Sequence, residues 1–149
     1  MSDEPTQIEA LGNPTAERTT VAAMLAAARS SLARVDPIGL QIAMNNGAIV
    51  LDLRTPTDRE RFGCIPGAIH APRTLLEFMV DPDWGYQHPA IGDFNQTLVC
   101  VCNGGYSSSL AAATLQQLGF YNATDLIGGF TAWIEHGLPI AAPDHTQID

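Results

Sequence analysis

Thr97-Leu98-Val99-Cys100-Val101-Cys102-Asn103-Gly104-Gly105-Tyr106-Ser107-Ser108-Ser109 is the stretch on which the reading of this chain turns. Thr97 to Cys102 is a short run of apolar and β-branched residues bounded by turn formers, the pattern of a strand buried on both faces. Asn103 to Tyr106 breaks it. Ser107 to Leu118 then reads as a helix, with Leu110, Ala111, Leu115 and Leu118 on one face and Gly119 as its stop. A cysteine thus ends a buried strand, a glycine-containing loop follows, and a helix starts from serines. In a parallel sheet, ligands bind beyond the carboxyl ends of the strands. Glycines let the loop amides point inward, and the helix N-terminus adds its positive end. Such surroundings lower a cysteine pKa from its free value of about 8.5. The design suits a cysteine that accepts a group, holds it covalently and passes it on. The bland alternative is that Cys102 is a small buried hydrophobe above a tight turn.

Outward from this segment, helical and strand patterns alternate. Val21, Met24, Leu25, Ala28, Leu32 and Val35 recur at three- and four-residue spacing, so residues 15–35 are expected to form an N-terminal helical extension. Asp36-Pro37 caps a second helix that ends before Gly47. Ala48 to Leu53 is a buried strand, Thr55 to Arg61 a short charged helix and Ala68 to Ala71 a short strand. Thr74 to Val80 is weakly helical, and residues 81–96 form a long loop in which Trp84 and Tyr86 stand as candidates to cover a pocket. Ala123 to Ile127 is the next strand, and Phe130 to His136 the last helix. The alternation predicts an α/β fold with a mainly parallel sheet. The domain is expected over 36–141, with flexible tails at 1–14 and 142–149.

The 149 residues carry a formal net charge of -9, with seven arginines and no lysine. That balance argues against nucleic-acid and anionic-membrane binding, both of which need a basic face. Residues 74–149 hold eight Asp or Glu and no basic residue beyond histidine. Anion chemistry there must use backbone amides, a helix end, or an arginine reaching over from the first half. Three cysteines at 64, 100 and 102 suggest no disulfide framework, and no metal spacing appears. The longest apolar run near the N-terminus, Val21 to Ala28, is too short to span a membrane. The reading is of a cytoplasmic protein with no metal and no cofactor.

Asp52-Leu53-Arg54, Ile65-Pro66-Gly67-Ala68-Ile69, Cys102-Asn103-Gly104-Gly105-Tyr106-Ser107-Ser108, Gly128-Gly129-Phe130-Thr131-Ala132-Trp133 and Gly137-Leu138-Pro139 follow one another in an order that resembles a rhodanese domain. The resemblance covers roughly residues 35–140, and the loop and N-terminal helix are similar to a single-domain branch common in actinobacteria. It implies a three-layer α/β/α fold around a five-stranded parallel sheet, and a sulfurtransferase. A donor such as thiosulfate would pass its outer sulfur to Cys102 as a persulfide. Cyanide, a cellular thiol or a protein acceptor would then take it. The loop amides of Asn103, Gly104, Gly105, Tyr106, Ser107 and Ser108 would cradle the persulfide. The runner-up reading is a weakly catalytic or non-catalytic module that relays persulfide to a partner protein.

The loop departs from the family at one place. Ser107, five positions after the cysteine, stands where many thiosulfate-using rhodaneses carry a basic residue. Related phosphatases need a longer loop ending in arginine, and a histidine where this chain has Val101. Arg73, the last basic residue, is the candidate anion clamp, with a solvent-exposed arginine as the alternative. Asp52 and Arg54 bracket a strand end and are candidates to support the site loops through an ion pair, or to touch substrate. Cys64 and Cys100 read as packing residues, and no histidine is assigned to catalysis.

Overall fold

The computed structural model describes residues 12–144. Residues 1–11 and 145–149 of the expected tails therefore lie outside the described residues. Four parallel strands lie in the order β2-β1-β3-β4, where β1 is Ile49–Asp52, β2 Ile69–His70, β3 Leu98–Val101 and β4 Ala123–Asp125. Six helices connect and cover them: α1 Val21–Ser30, α2 Pro37–Asn45, α3 Pro56–Phe62, α4 Leu76–Val80, α5 Ser107–Gln117 and α6 Gly129–Glu135.

Alternation along the central strands sorts side chains into two cores, the mark of a sheet covered on both faces. Leu51, Leu98 and Cys100 pack with Leu76, Met79, Ala111, Leu115 and Phe120, against α4 and α5. Val50, Val99 and Val101 pack with Leu40, Phe130 and Trp133, against α2 and α6. The three layers of the expected fold are therefore present. β3 pairs with β1 from Ile49↔Leu98 to Asp52↔Val101 and with β4 from Leu98↔Ala123 to Cys100↔Asp125.

The five-stranded sheet implied by the resemblance is corrected to four strands among the described residues. At the β4 edge a fifth strand is reduced to one parallel bridge, Val35↔Leu126, held by the Val35 N–H on Asp125 O at 3.2 Å and the Ile127 N–H on Val35 O at 2.8 Å. It cannot lengthen, because the Asp36 side chain accepts from the Gly39 N–H and Pro37 opens α2 at the next residue. β2 is shorter than expected because Pro72, two residues past His70, has no N–H to continue a ladder.

The N-terminal helix is shorter than the expected 15–35. Thr20 caps α1 by accepting from the Ala23 N–H at 3.1 Å, and the Ser31 hydroxyl bonds back to Ala28 O at 3.0 Å at its end. Of the apolar stripe, Ala28 is buried, Leu25, Leu32 and Val35 are half-buried, and Val21 and Met24 are exposed. α1 packs along α5, so its register is set by that helix.

Candidate functional site

β3 ends one residue before Cys102, and α5 begins at Ser107. Cys102 is 7% exposed. Its Sγ accepts from the Gly105 N–H at 3.2 Å and from the Ser108 N–H at 3.4 Å. The loop turns because Gly105 takes φ +83°, and a Cβ there would come within 2.7 Å of Gly128 N. The Gly104, Tyr106 and Ser107 amides donate to no acceptor among the described residues. Tyr106 itself is 66% exposed above the loop.

Burial opposes ionisation of Cys102, but the Ser107 hydroxyl and the amides of Ser108 and Gly105 outweigh it and hold the thiol below its ordinary value. The Ser108 hydroxyl has one proton and lies 2.8 Å from Asp125 Oδ2. A buried carboxylate is the stronger acceptor, so that proton belongs to Asp125. Direct donation to sulfur then comes from the Ser107 hydroxyl and the two amides. Cys100 is wholly buried on β3 and its thiol is pushed up by burial first and by Asp125 second. Cys64 is also buried and raised; its backbone pairs with Ala141, closing the C-terminal segment onto the domain.

The loop is braced from below by α6. The Phe130 N–H donates to Cys102 O at 2.8 Å and the Thr131 N–H to Asn103 O at 3.1 Å. Gly129 makes this approach feasible: a Cβ there would lie 2.5 Å from Cys102 O and 2.6 Å from Asn103 O. Phe130 is in turn covered by the Arg54 guanidinium, 3.9 Å from its ring centroid. Arg54 and Asp52 are both buried and form a fork, Nε to Oδ1 at 3.0 Å and Nη2 to Oδ2 at 2.9 Å. Arg59 adds a bond from Nε to Asp52 Oδ2 at 3.1 Å, and Arg54 Nη2 also reaches Gly63 O at 2.8 Å. His70 Nε2 meets Arg54 O at 2.8 Å. Of the two roles open for Asp52 and Arg54, this geometry is that of a structural ion pair beneath the α6 brace.

At the mouth, the Asn103 amide donates to Asp58 Oδ2 at 2.9 Å, placing a carboxylate beside the loop. Arg73 is not joined to the loop. Its Nη1 is held by Glu77 Oε1 at 2.7 Å, and it borders a groove of about 740 Å³ between α1 and α5, with Met24 and Leu110. Nor do Trp84 and Tyr86 cover the site: both are exposed, and Trp84 packs on Phe78 of α4 with ring centroids 5.1 Å apart.

Sequence reasoning missed Arg29, Arg34 and Asp125. Arg29 Nη2 and Arg34 Nη2 both donate to Gly105 O, at 2.8 and 3.1 Å. Arg34 forks onto Asp125, Nε to Oδ1 at 2.8 Å and Nη2 to Oδ2 at 3.2 Å. Asp125 Oδ2 also accepts from the Ser108 and Ser109 hydroxyls, each at 2.8 Å. A signal for this existed. Asp125 is an acid inside the apolar strand 123–127, which demands a cation, and none follows Arg73.

Among the described residues no group of side chains could hold a metal ion, and no helix is long and apolar enough to cross a membrane. The model of the rhodanese-like domain family matches residues 39–136. The chain is 31% identical over 109 residues to a sulfurtransferase of Allochromatium vinosum, covering 73% of this chain and 92% of that protein. It is 33% identical over 100 residues to thiosulfate sulfurtransferase GlpE of Stutzerimonas stutzeri, covering 67% and 83% respectively. Among solved structures, a Rhodopseudomonas palustris protein described as of unknown function and a possible tyrosine phosphatase superposes with a TM-score of 0.76 at 34% identity, over 87% of this chain and all of that one. The polysulfide-sulfur transferase of Wolinella succinogenes shares the fold, with a TM-score of 0.61 at 23% identity over 85% of this chain and 90% of that one. With a family match over most of its length, this chain belongs to the rhodanese-like domain family.

Proposed function

We propose that the protein is a sulfurtransferase in which Cys102 carries a sulfane sulfur as a persulfide from a small donor to a thiol, cyanide or protein acceptor. The single observation that carries this is the convergence of the Gly105 and Ser108 amides on a Cys102 thiol held below its ordinary pKa. The Cys102 thiolate attacks the outer sulfur of a donor such as thiosulfate. The S–S bond of the donor breaks, sulfite leaves with the bonding pair, and Cys102 becomes a persulfide anion. The unoccupied amides of Gly104, Tyr106 and Ser107 are the donors available to that outer sulfur. An acceptor thiolate or cyanide attacks it in turn and returns Cys102 to thiolate, so no external oxidant or reductant is needed. The sulfurtransferase names of the relatives in Allochromatium and Stutzerimonas support the reading.

A phosphatase reading, suggested by the description of the Rhodopseudomonas protein, is disfavoured by the loop. Residues 103–109 contain no arginine to grip a phosphoryl dianion. The relay reading, in which persulfide is handed to a partner protein with little turnover of small donors, is favoured by the same missing cation and by Asp58 at the mouth.

Mass spectrometry of the protein after incubation with thiosulfate or a low-molecular-weight persulfide decides between these readings. A gain of ~32 Da on Cys102, discharged by cyanide or thiol, is the expected result. Loading by the persulfide but not by thiosulfate selects the relay. No gain on Cys102 with either donor overturns the proposal.

A further inference from the structure

Two side chains that lie outside the matched domain converge on the loop: Arg29 at the end of α1 and Arg34 in the link to α2. Both guanidinium groups donate to the same atom, the Gly105 carbonyl oxygen, at 2.8 and 3.1 Å. A trans peptide sets its N–H opposite its C=O. With Gly105 O turned toward the arginines, the Tyr106 N–H is turned away from them, and no cis bond interrupts this geometry. Arg29 Nε also donates to Ser109 Oγ at 3.0 Å, and that hydroxyl donates to Asp125 Oδ2 at 2.8 Å. Asp125 is 0% exposed, and a buried carboxylate without a cation would repel a thiolate. The Arg34 fork neutralises it.

We propose that Arg29 and Arg34 are positioning residues for Cys102: they neutralise Asp125 and anchor the Gly105–Tyr106 peptide, which lies in the chain between the Gly105 and Ser108 amides that hold the sulfur. α1 is then part of the site rather than an appendage to the domain. The positive charge that the loop lacks at Ser107 is supplied from behind the loop instead. This rests on Cys102 being the reacting group, as proposed above, but not on the identity of its sulfur donor. Other charged or titratable groups around Cys102 are Tyr106 in the loop, its ring centroid 5.6 Å from the Arg29 guanidinium, Asp125 on β4, Cys100 on β3 with the charge of Arg73 acting on it, Asp58 on α3 through Asn103, and Arg54 beneath Phe130.

The test is the pH dependence of iodoacetamide alkylation at Cys102 in the full chain, followed on the Cys102 peptide by mass spectrometry, with thermal unfolding monitored in parallel. Arg29→Gln removes the charge while leaving no buried carboxylate unpaired. It is expected to raise the alkylation midpoint and slow the reaction at pH 7 about five- to tenfold, since thiolate falls tenfold per pH unit below the midpoint. Arg29→Lys, which keeps the charge and one donor, is expected to recover most of the rate. Arg34→Gln combined with Asp125→Asn removes the second arginine without stranding the acid and is expected to shift the midpoint in the same direction as Arg29→Gln. Folded Arg29→Gln protein with an unshifted profile overturns the proposal, as does a shift that Arg29→Lys fails to reverse. Alkylation needs no sulfur donor, so absent persulfide loading in the unsubstituted chain would refute the sulfurtransferase reading and leave this result standing.

Discussion

The amide nitrogen of Ser108 lies 3.4 Å from Cys102 Sγ, so the first turn of α5 closes on the sulfur that β3 delivers. The three thiols of the chain are thereby separated. Burial pushes Cys64 and Cys100 up, whereas hydrogen bonds hold Cys102 down despite its burial. Iodoacetamide at neutral pH is expected to label Cys102 first, with a rate that falls as pH drops through its lowered value. Cys102→Ala is expected to abolish sulfur transfer, while Cys64→Ala and Cys100→Ala retain most of it. Steady-state transfer from thiosulfate to cyanide checks all three, and substantial turnover without Cys102 would remove it from the mechanism.

Gly129 takes φ +61°, with two carbonyl oxygens, of Cys102 and Asn103, where a Cβ would stand. Gly137 takes φ +67°, with open space around the same position. Gly137→Ala is therefore expected to cost only the left-handed strain, about 1–2 kcal/mol. Gly129→Ala adds a collision with Cys102 O and Asn103 O and is expected to cost at least about 2 kcal/mol more. Urea unfolding of the two variants measures the difference; equal losses would show that the α6 brace yields easily.

Cys100 offers a test at alkaline pH. Its folded thiol resists ionisation while the unfolded one ionises near 9.0. A raised folded pKa contributes stability that is fully present below the unfolded value and is lost as pH rises past it. Cys64 acts in the same direction and Cys102 in the opposite one. Cys100→Val is expected to flatten the fall in stability above pH 9, by up to about 1.4 kcal/mol per pH unit. Denaturant unfolding between pH 8 and 10.5 reads it, and parallel curves would contradict the buried-thiol account.

Hydrolysis of an aryl phosphate is expected to be absent. The transferring phosphoryl group needs a bidentate cation, and the arginines bonded to the loop, 29 and 34, are already engaged by Gly105 O and, for Arg34, by Asp125. Turnover that disappears with Cys102→Ala would reverse this reading.

Thiosulfate is a dianion, and the mouth presents Asp58 but no loop cation. Its KM is expected to be high. Ser107 is exposed at the first position of α5, so Ser107→Arg has room to place a guanidinium there. One charge-assisted hydrogen bond in a partly solvated site contributes ~1.5 kcal/mol, or up to about tenfold in kcat/KM, less what is lost with the Ser107 hydroxyl that holds the Cys102 thiol down. The gain is expected to shrink with salt, through screening over a Debye length of ~8–10 Å. Arg73→Ala, whose side chain bonds Glu77 rather than the loop, is expected to change these kinetics little. Unchanged thiosulfate kinetics in folded Ser107→Arg would locate the limitation elsewhere.

Local chemistry determined much of this protein. Apolar runs at 49–52 and 98–101 make strands because each side chain there can be buried on one face or the other. Asp36-Pro37 and Thr55-Pro56 start helices through caps and fixed φ. The strand–glycine–helix order placed Cys102 at the carboxyl end of the sheet, a matter of neighbours along the chain. Which arginines serve that cysteine was a tertiary decision. Arg29 and Gly105 are 76 positions apart, and Arg34 and Asp125 are 91 apart. Nothing local marks Arg29 for the loop, and the place of Arg73 as the last basic residue made it the candidate clamp instead. Packing α1 along α5 brought one to the loop carbonyl, while the i,i+4 neighbour Glu77 held the other. The fourth-strand edge was decided likewise: Val35 could extend the sheet only until Pro37 turned the chain into α2.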